Sequence, residues 1–377
     1  ATATNSASKT LVVTNTGGTL IAGTLLTLDG KRLSGDGKVL GLRDIDVKLL
    51  DDFTHAGASA EFAANRDARL ETAGTLNNQA RLQAGGTLDL KAATLNNEAT
   101  GEIIAGSVQL TATDTHTLTN RGLIDGGDTF IDAVTLNNLG TGRIYGNHVA
   151  ISSTTLNNLA EGGAAPIIAT RGNTGRLDLG ATTINNRDGA LLFSTGDLAI
   201  GGALDADHRA AGQAGTLDNR SAHIESLGDL TINVGSLSNR RTAFSFARQL
   251  DSTHTVSWTR CDDPPDCDYI SYLTDQTTIY KDIVTSTAPA ASILAGGHAL
   301  VNATALSNEY SSIEAGGNLT LTGSTLTNQG AELFQQTDVI HSGYQRHWGR
   351  SPKNPWTSAS SSSVLLKTVP AIISAGG

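Results

Sequence analysis

The chain has 377 residues, with 42 glycines, no methionine, 4 % aromatic and 16 % charged residues, and a formal net charge of −10. So few large side chains exclude an ordinary compact core of this length and favour a fold that stacks small side chains in a narrow tube. The acidic balance excludes a phosphate-binding surface, and with it nucleic acid as a partner. No run long and apolar enough for a membrane span occurs. The opening ATATNSASKT has neither an initiator methionine nor a signal peptide, and the closing IISAGG falls inside a repeat. The chain is therefore read as a piece of something longer.

Residues 1–70 carry degenerate coils. Val12-Val13-Thr14-Asn15 followed by Leu20-Ile21-Ala22-Gly23 reads as a first coil. From about residue 71 a repeat is plain. Thr75-Leu76-Asn77-Asn78 recurs as Thr94-Leu95-Asn96-Asn97, Thr117-Leu118-Thr119-Asn120, Thr135-Leu136-Asn137-Asn138 and Thr155-Leu156-Asn157-Asn158. Its closing asparagines are Asn78, Asn97, Asn120, Asn138, Asn158, Asn186, Asn219, Asn239, Asn308 and Asn328. Most steps are 18 to 23 residues, and the steps of 28, 33 and 69 read as insertions. Between these anchors stands a second one, an apolar residue before a small residue and glycine, as in Leu82-Gln83-Ala84-Gly85-Gly86 and Ile313-Glu314-Ala315-Gly316-Gly317. Strict alternation follows it, as in Leu88-Asp89-Leu90. Each unit is thus three short strands with one face buried.

A unit of about 20 residues cannot bury its apolar face alone, but stacked units can, each strand pairing in parallel with the next at about 4.8 Å. The predicted fold is all-β: a right-handed parallel β-helix with two extrahelical β-hairpin excursions. Asparagine at one corner is expected to ladder from coil to coil. Glycine is expected to supply a corner with positive φ. Regular coils run over 71–239 and again over 292–329, and 372–377 begins a truncated coil. Without the excursions, about 14 coils remain, a rod of order 65–70 Å.

The excursions, 240–291 and 330–371, leave from the same corner, after the asparagine anchor. They hold all three tryptophans, four of six tyrosines, both cysteines and six of seven prolines. Such residues have no place in a narrow solenoid but suit hairpins. Pro264-Pro265 turns the first, and Gly349–Pro355 the second. Cys261 and Cys267 could be free thiols; a local disulfide is the favoured reading and implies an oxidising compartment. Trp258, Tyr269, Tyr272, Tyr280, Tyr344, Trp348 and Trp356, with Arg346 and Arg350, form the candidate recognition set. The rival reading is that these hairpins pack down and only stabilise.

The pattern Leu-x-Asn…(Ile/Leu)-x-Ala-Gly-Gly-x-Leu-x-Leu resembles the haemagglutinin repeats of two-partner-secreted exoproteins, the filamentous haemagglutinin adhesins and the CdiA-type effectors of contact-dependent growth inhibition. The resemblance covers the chain most firmly from about 70 to 328. It implies a secreted or surface-bound protein exported by a partner outer-membrane transporter. It also implies a stalk, with a receptor-binding segment for a target-cell protein or host glycan. A monomer is expected.

An enzyme is the main alternative, because polysaccharide lyases and hydrolases also use parallel β-helices. They need clustered carboxylates on one face. Asp125, Asp128 and Asp132 are the best cluster here and read as solvated turn acids. Asp262, Asp263, Asp266 and Asp268 crowd one turn, where a calcium site is the lesser reading. His341 and His347 are too isolated for a metal pair. No catalytic residue, cofactor or metal is assigned, and the chain is expected not to be an enzyme.

Overall fold

A computed structural model describes residues 2–4, 9–112 and 116–377. Residues 1, 5–8 and 113–115, including part of the predicted first segment, lie outside the described residues. Two compact units emerge: one contains the chain to Thr242 with Pro289–Gln329 and Ala371–Gly377, the other Ala243–Ala288 with Gly330–Pro370.

The first unit is a parallel β-solenoid. Among the described residues a regular coil contributes three strands, and nearly every strand pairs in parallel with its counterpart one coil on. On the asparagine face, Thr75–Asn78 pairs with Thr94–Asn97 residue for residue, and the same register runs through Thr117–Asn120, Thr135–Asn138 and Thr155–Asn158. On the second face, Arg81–Ala84 lies in register with Glu61–Ala64 below and Glu102–Ala105 above. On the third, Ala68–Glu71 pairs with Leu88–Lys91.

This register puts like on like. Leu76, Leu95, Leu118, Leu136, Leu156 and Ile184 form one fully buried column. Leu82, Ile103, Ile124, Ile144, Ile168 and Leu192 form another. Burying one such side chain contributes roughly 1.5–3 kcal/mol, so the columns dominate cohesion. Outward positions of the third face follow the opposite rule. Asp29, Lys48, Glu71 and Lys91 stack with alternating sign, which avoids the like-charge pairs that destabilise neighbouring strands.

The corner is polar and dry. Asn97 donates its side-chain N–H to Asn120 Oδ1 at 2.8 Å and to the Leu123 carbonyl at 3.1 Å, both one coil on. The same pair of bonds recurs at Asn120, Asn138, Asn158, Asn186, Asn219, Asn239 and Asn308. These side chains are fully buried. At the lower end, Asn78 Oδ1 has no donor among the described residues, because the position beneath it in register is His55. Phe53-Thr54-His55 is thus an anchor in disguise: Phe53 stands under Leu76 and His55 under Asn78. Nε2 of His55 donates to the Arg81 carbonyl at 3.0 Å.

The glycines of the second anchor work differently from the expectation. Gly85, Gly106, Gly296 and Gly316 are not among the residues with positive φ. What they lack is room. A Cβ on Gly85 would lie 2.2 Å from the Asn65 carbonyl oxygen, and one on Gly316 would lie 2.3 Å from that of Gly296. Glycine is required there because the backbone one coil below occupies the space of a side chain.

The 33-residue step proves to be a small antiparallel loop in which Ala203 pairs with Ala211 and Leu204 with Ala210.

The second unit is one four-stranded antiparallel sheet. Phe244–Cys261 pairs with Tyr269–Thr287, and Ala331–His347 with Lys353–Val369. The two hairpins also join each other, Tyr269–Lys281 against Gln335–His347. Nothing in the sequence pattern signalled that join.

Two outcomes test the corner. Asn138→Ala strands a donor on Asn120 and an acceptor on Asn158, both buried, at a cost of about 1–3 kcal/mol each. Denaturant unfolding should lose about 2–5 kcal/mol, against under about 1 kcal/mol for Asn137→Ala on the outer side. Burial lowers the pKa of His55, a shift its bond to the Arg81 carbonyl only partly opposes. The folded state therefore resists protonating it, and stability should fall as pH drops below about 6.5 towards that lower value. His55→Asn should flatten this acid limb and offer Asn78 Oδ1 a donor; an unchanged limb would count against the assignment.

Candidate recognition surface

The sheet of the second unit owes its strands to runs of threonine, valine, isoleucine and aromatic residues, which fit a pleated surface. The turn after Cys261 is closed by the Cys261–Cys267 disulfide, whose Cα atoms are 5.1 Å apart. Asp263 Oδ1 accepts the Tyr269 N–H at 2.9 Å, so the returning strand starts from a fixed point.

Residues directly opposite in an antiparallel pair share a face. Trp258 stands opposite Leu273, Leu273 opposite Gly343, and Gly343 opposite Trp356. The three large side chains therefore form a band across all four strands. Gly343 permits it: a Cβ there would sit 3.0 Å from both Trp356 Cε2 and Leu273 Cδ2. A glycine inside a strand marks such close approach, and Gly343 is the one sign of the band in the sequence. Tyr269 shares the Trp258 face, its ring 4.6 Å from that of His347 opposite.

The other face carries a second group. Tyr272 and Tyr344 are stacked, with ring centroids 5.0 Å apart and planes 9° from parallel. One residue pair nearer the turns, Ile270 lies opposite Arg346. Together with Cys267, Asp268, Trp348 and Gly349, Ile270, Tyr272 and Arg346 line a pocket of about 380 Å³. Trp348 is 82 % exposed, and its N–H is held by the Asp268 carbonyl at 2.9 Å. The structure thus gathers Trp258, Tyr269, Tyr272, Tyr344, Trp348 and Trp356 at the turn end of the sheet, on two faces. Tyr280 lies apart, opposite Leu250 and Gln336, about 27 Å along the strand from Tyr272.

Polar contacts bind the two hairpins into this surface. Asp262 accepts from Arg260 at 2.9 Å, from Ser271 at 2.5 Å and from Gln345 at 3.0 Å, linking three strands. The Ser271 hydroxyl, then the Gln345 amide, hold its carboxyl below the ordinary range, with Arg260 adding to them. Asp282 accepts the Phe334 N–H at 2.9 Å and Arg248 Nε at 3.2 Å, which likewise lowers its pKa. His341 pairs with Asp275 across the same join. Two acids of the turn, Asp262 and Asp263, are therefore structural partners of the sheet, and His341 and His347 have separate partners. Among the described residues no group of three or more His, Cys, Asp or Glu side chains is placed to hold a metal.

The solenoid acids are likewise dispersed. Asp125 is bound by Arg171 from the loop two coils on, whereas Asp128 and Asp132 stand exposed on the third face.

The profile of the haemagglutinin repeat matches residues 1–50, 54–122, 174–259 and 284–377. The chain belongs to the haemagglutinin-repeat family. Proteins with these repeats are secreted, surface-associated adhesin-type exoproteins, structural rather than enzymatic. No curated protein and no solved structure matches the chain. No helix among the described residues is long and apolar enough to cross a membrane.

Asp282→Ala tests the join between hairpins. It removes a charged acceptor that is 6 % exposed, a loss of about 1–3 kcal/mol. Hydrogen exchange at Phe334 and along 335–347 should speed up while the solenoid strands keep their rates. The wild-type carboxylate, its pKa depressed, contributes above the unfolded value near 4 and loses its effect as pH falls through the lower folded value.

Proposed function

We propose that this chain is the stalk, together with a receptor-contacting segment, of a surface exoprotein that mediates contact between cells, through adhesion or delivery of a growth-inhibiting toxin. The observation that carries this reading is the gathering of every tryptophan of the chain at the turn end of one sheet. Tryptophan, tyrosine and arginine are the residue types that dominate binding energy at interfaces. A band of exposed rings has no cohesive role that a shorter apolar residue would not fill at less risk of aggregation. The solenoid suits the other half of the task. Its ladders repeat without limit and bury their own edges, so length is gained by adding coils. Export by a partner outer-membrane transporter belongs to the same reading, as does a target-cell protein or glycan as the receptor.

The test is binding of the purified chain to target cells. Because both hairpins build one sheet, removing one unpairs the other, and point variants are the cleaner probe. Trp348→Ala and Trp356→Ala, both exposed, should leave circular dichroism unchanged and weaken saturable binding at least tenfold when combined. Binding that survives the double variant, or no saturable binding by the intact chain, would contradict a recognition role for this surface.

A further inference from the structure

The flank of the solenoid carries a second constructed feature, independent of the hairpins. On the third face, Gln109, Phe130 and Ala150 stand in register on successive coils, and beside them Thr111, Asp132 and Ser152. Inward neighbours such as Leu110, Ile131 and Ile151 are buried in the core, so these six point outward. Here the loop Gly202–Gln213 is laid across it.

The loop is anchored with some force. Asp178, an outward position that is nevertheless fully buried, accepts from Arg176 Nε at 2.7 Å, from the Ala210 N–H at 2.9 Å and from His148 Nε2 at 3.1 Å. Gly180 makes room for it, since a Cβ there would lie 2.4 Å from the Ala203 carbonyl carbon. Asp205 Oδ1 shapes the tip by accepting the N–H groups of Asp207 and Arg209, both at 2.9 Å. This places His208, in the left-handed backbone region at φ 57°, over Phe130, with ring centroids 4.1 Å apart and planes 18° from parallel. The result is a groove of about 320 Å³ with a wall of stacked rings, a floor from three coils, and Leu204 at its side.

The polar side chains in that groove are idle. Among the described residues, Gln109, Thr111, Asp132, Ser152 and His208 find no side-chain hydrogen-bond or ion-pair partner. They offer one carboxylate, two hydroxyls, a carboxamide and an imidazole, at strand spacings of about 4.8 Å, beside an apolar ring surface. We propose that this groove binds a neutral saccharide. A carboxylate accepts from adjacent hydroxyls of a pyranose, the amide and imidazole supply donors, and the ring wall takes the apolar face of the sugar. The described lining holds an acid and no Lys or Arg, which selects against sugars bearing carboxylate or sulfate. Its described lining holds one carboxylate, Asp132, rather than the pair that glycosidic hydrolysis requires, which fits binding rather than turnover.

Saturation-transfer NMR on the whole chain with lactose, maltose and chitobiose decides the matter. At least one sugar should receive saturation at its ring protons. Asp132→Ala and His208→Ala, both exposed positions, should each weaken that binding at least tenfold with unchanged circular dichroism. Trp348→Ala, in the sheet of the other unit, should leave it unaltered. Absence of transfer to all three sugars, or binding that persists in Asp132→Ala, overturns the assignment. Binding lost in Trp348→Ala instead would place the sugar on the hairpins and overturn it equally.

Discussion

A buried carboxamide must hydrogen-bond, and in this chain it does so to the carboxamides one coil above and below and to a backbone carbonyl of the next coil. From that requirement most of the structure follows. A misregistered coil would leave a dry N–H and C=O unpaired, at about 1–3 kcal/mol each. The apolar columns alone would tolerate a slip, because leucine packs on leucine, isoleucine or valine with small differences. The hydrophobic columns therefore supply cohesion, and the asparagine column supplies uniqueness of register. The second anchor enforces the same register sterically, since its glycines accept the backbone of the coil below at distances no side chain would allow.

Fixed register is what allows insertions to be useful. Chain departures after Arg240 and after Gln329 fall two rungs apart on the asparagine face, with the rung of Asn308 between them. Both excursions join a single sheet, which carries aromatic residues that the solenoid could not bury. The same logic governs the loop after Gly201, where one buried carboxylate, Asp178, fastens an insertion to the flank beneath it.

The coil period was legible in the sequence because one residue type returned at a nearly fixed interval and the apolar positions moved with it. Phe53-Thr54-His55 escaped because its residues occupy the anchor positions without sharing their chemistry. The reason for the glycines was misread because close approach and positive φ leave the same mark in a sequence. Composition alone marked the excursions and their aromatic residues. Which rings meet was hidden, because Tyr272 and Tyr344, or Asp282 and Phe334, come together through pairing between distant segments that follow no period. Length alone announced the insertion that carries His208, and length says nothing about what a loop covers.

The most direct measurement is proton exchange of the asparagine carboxamides, resolved by nitrogen-15 NMR of the folded chain. The side-chain N–H groups of Asn97, Asn120, Asn138, Asn158, Asn186 and Asn219 should exchange orders of magnitude more slowly than those of the exposed Asn302 and Asn318, and as slowly as the backbone of their own strands. Carboxamide protons on the ladder that exchange as fast as the exposed ones would mean that the corner is wet, and that something else sets the register of the coils.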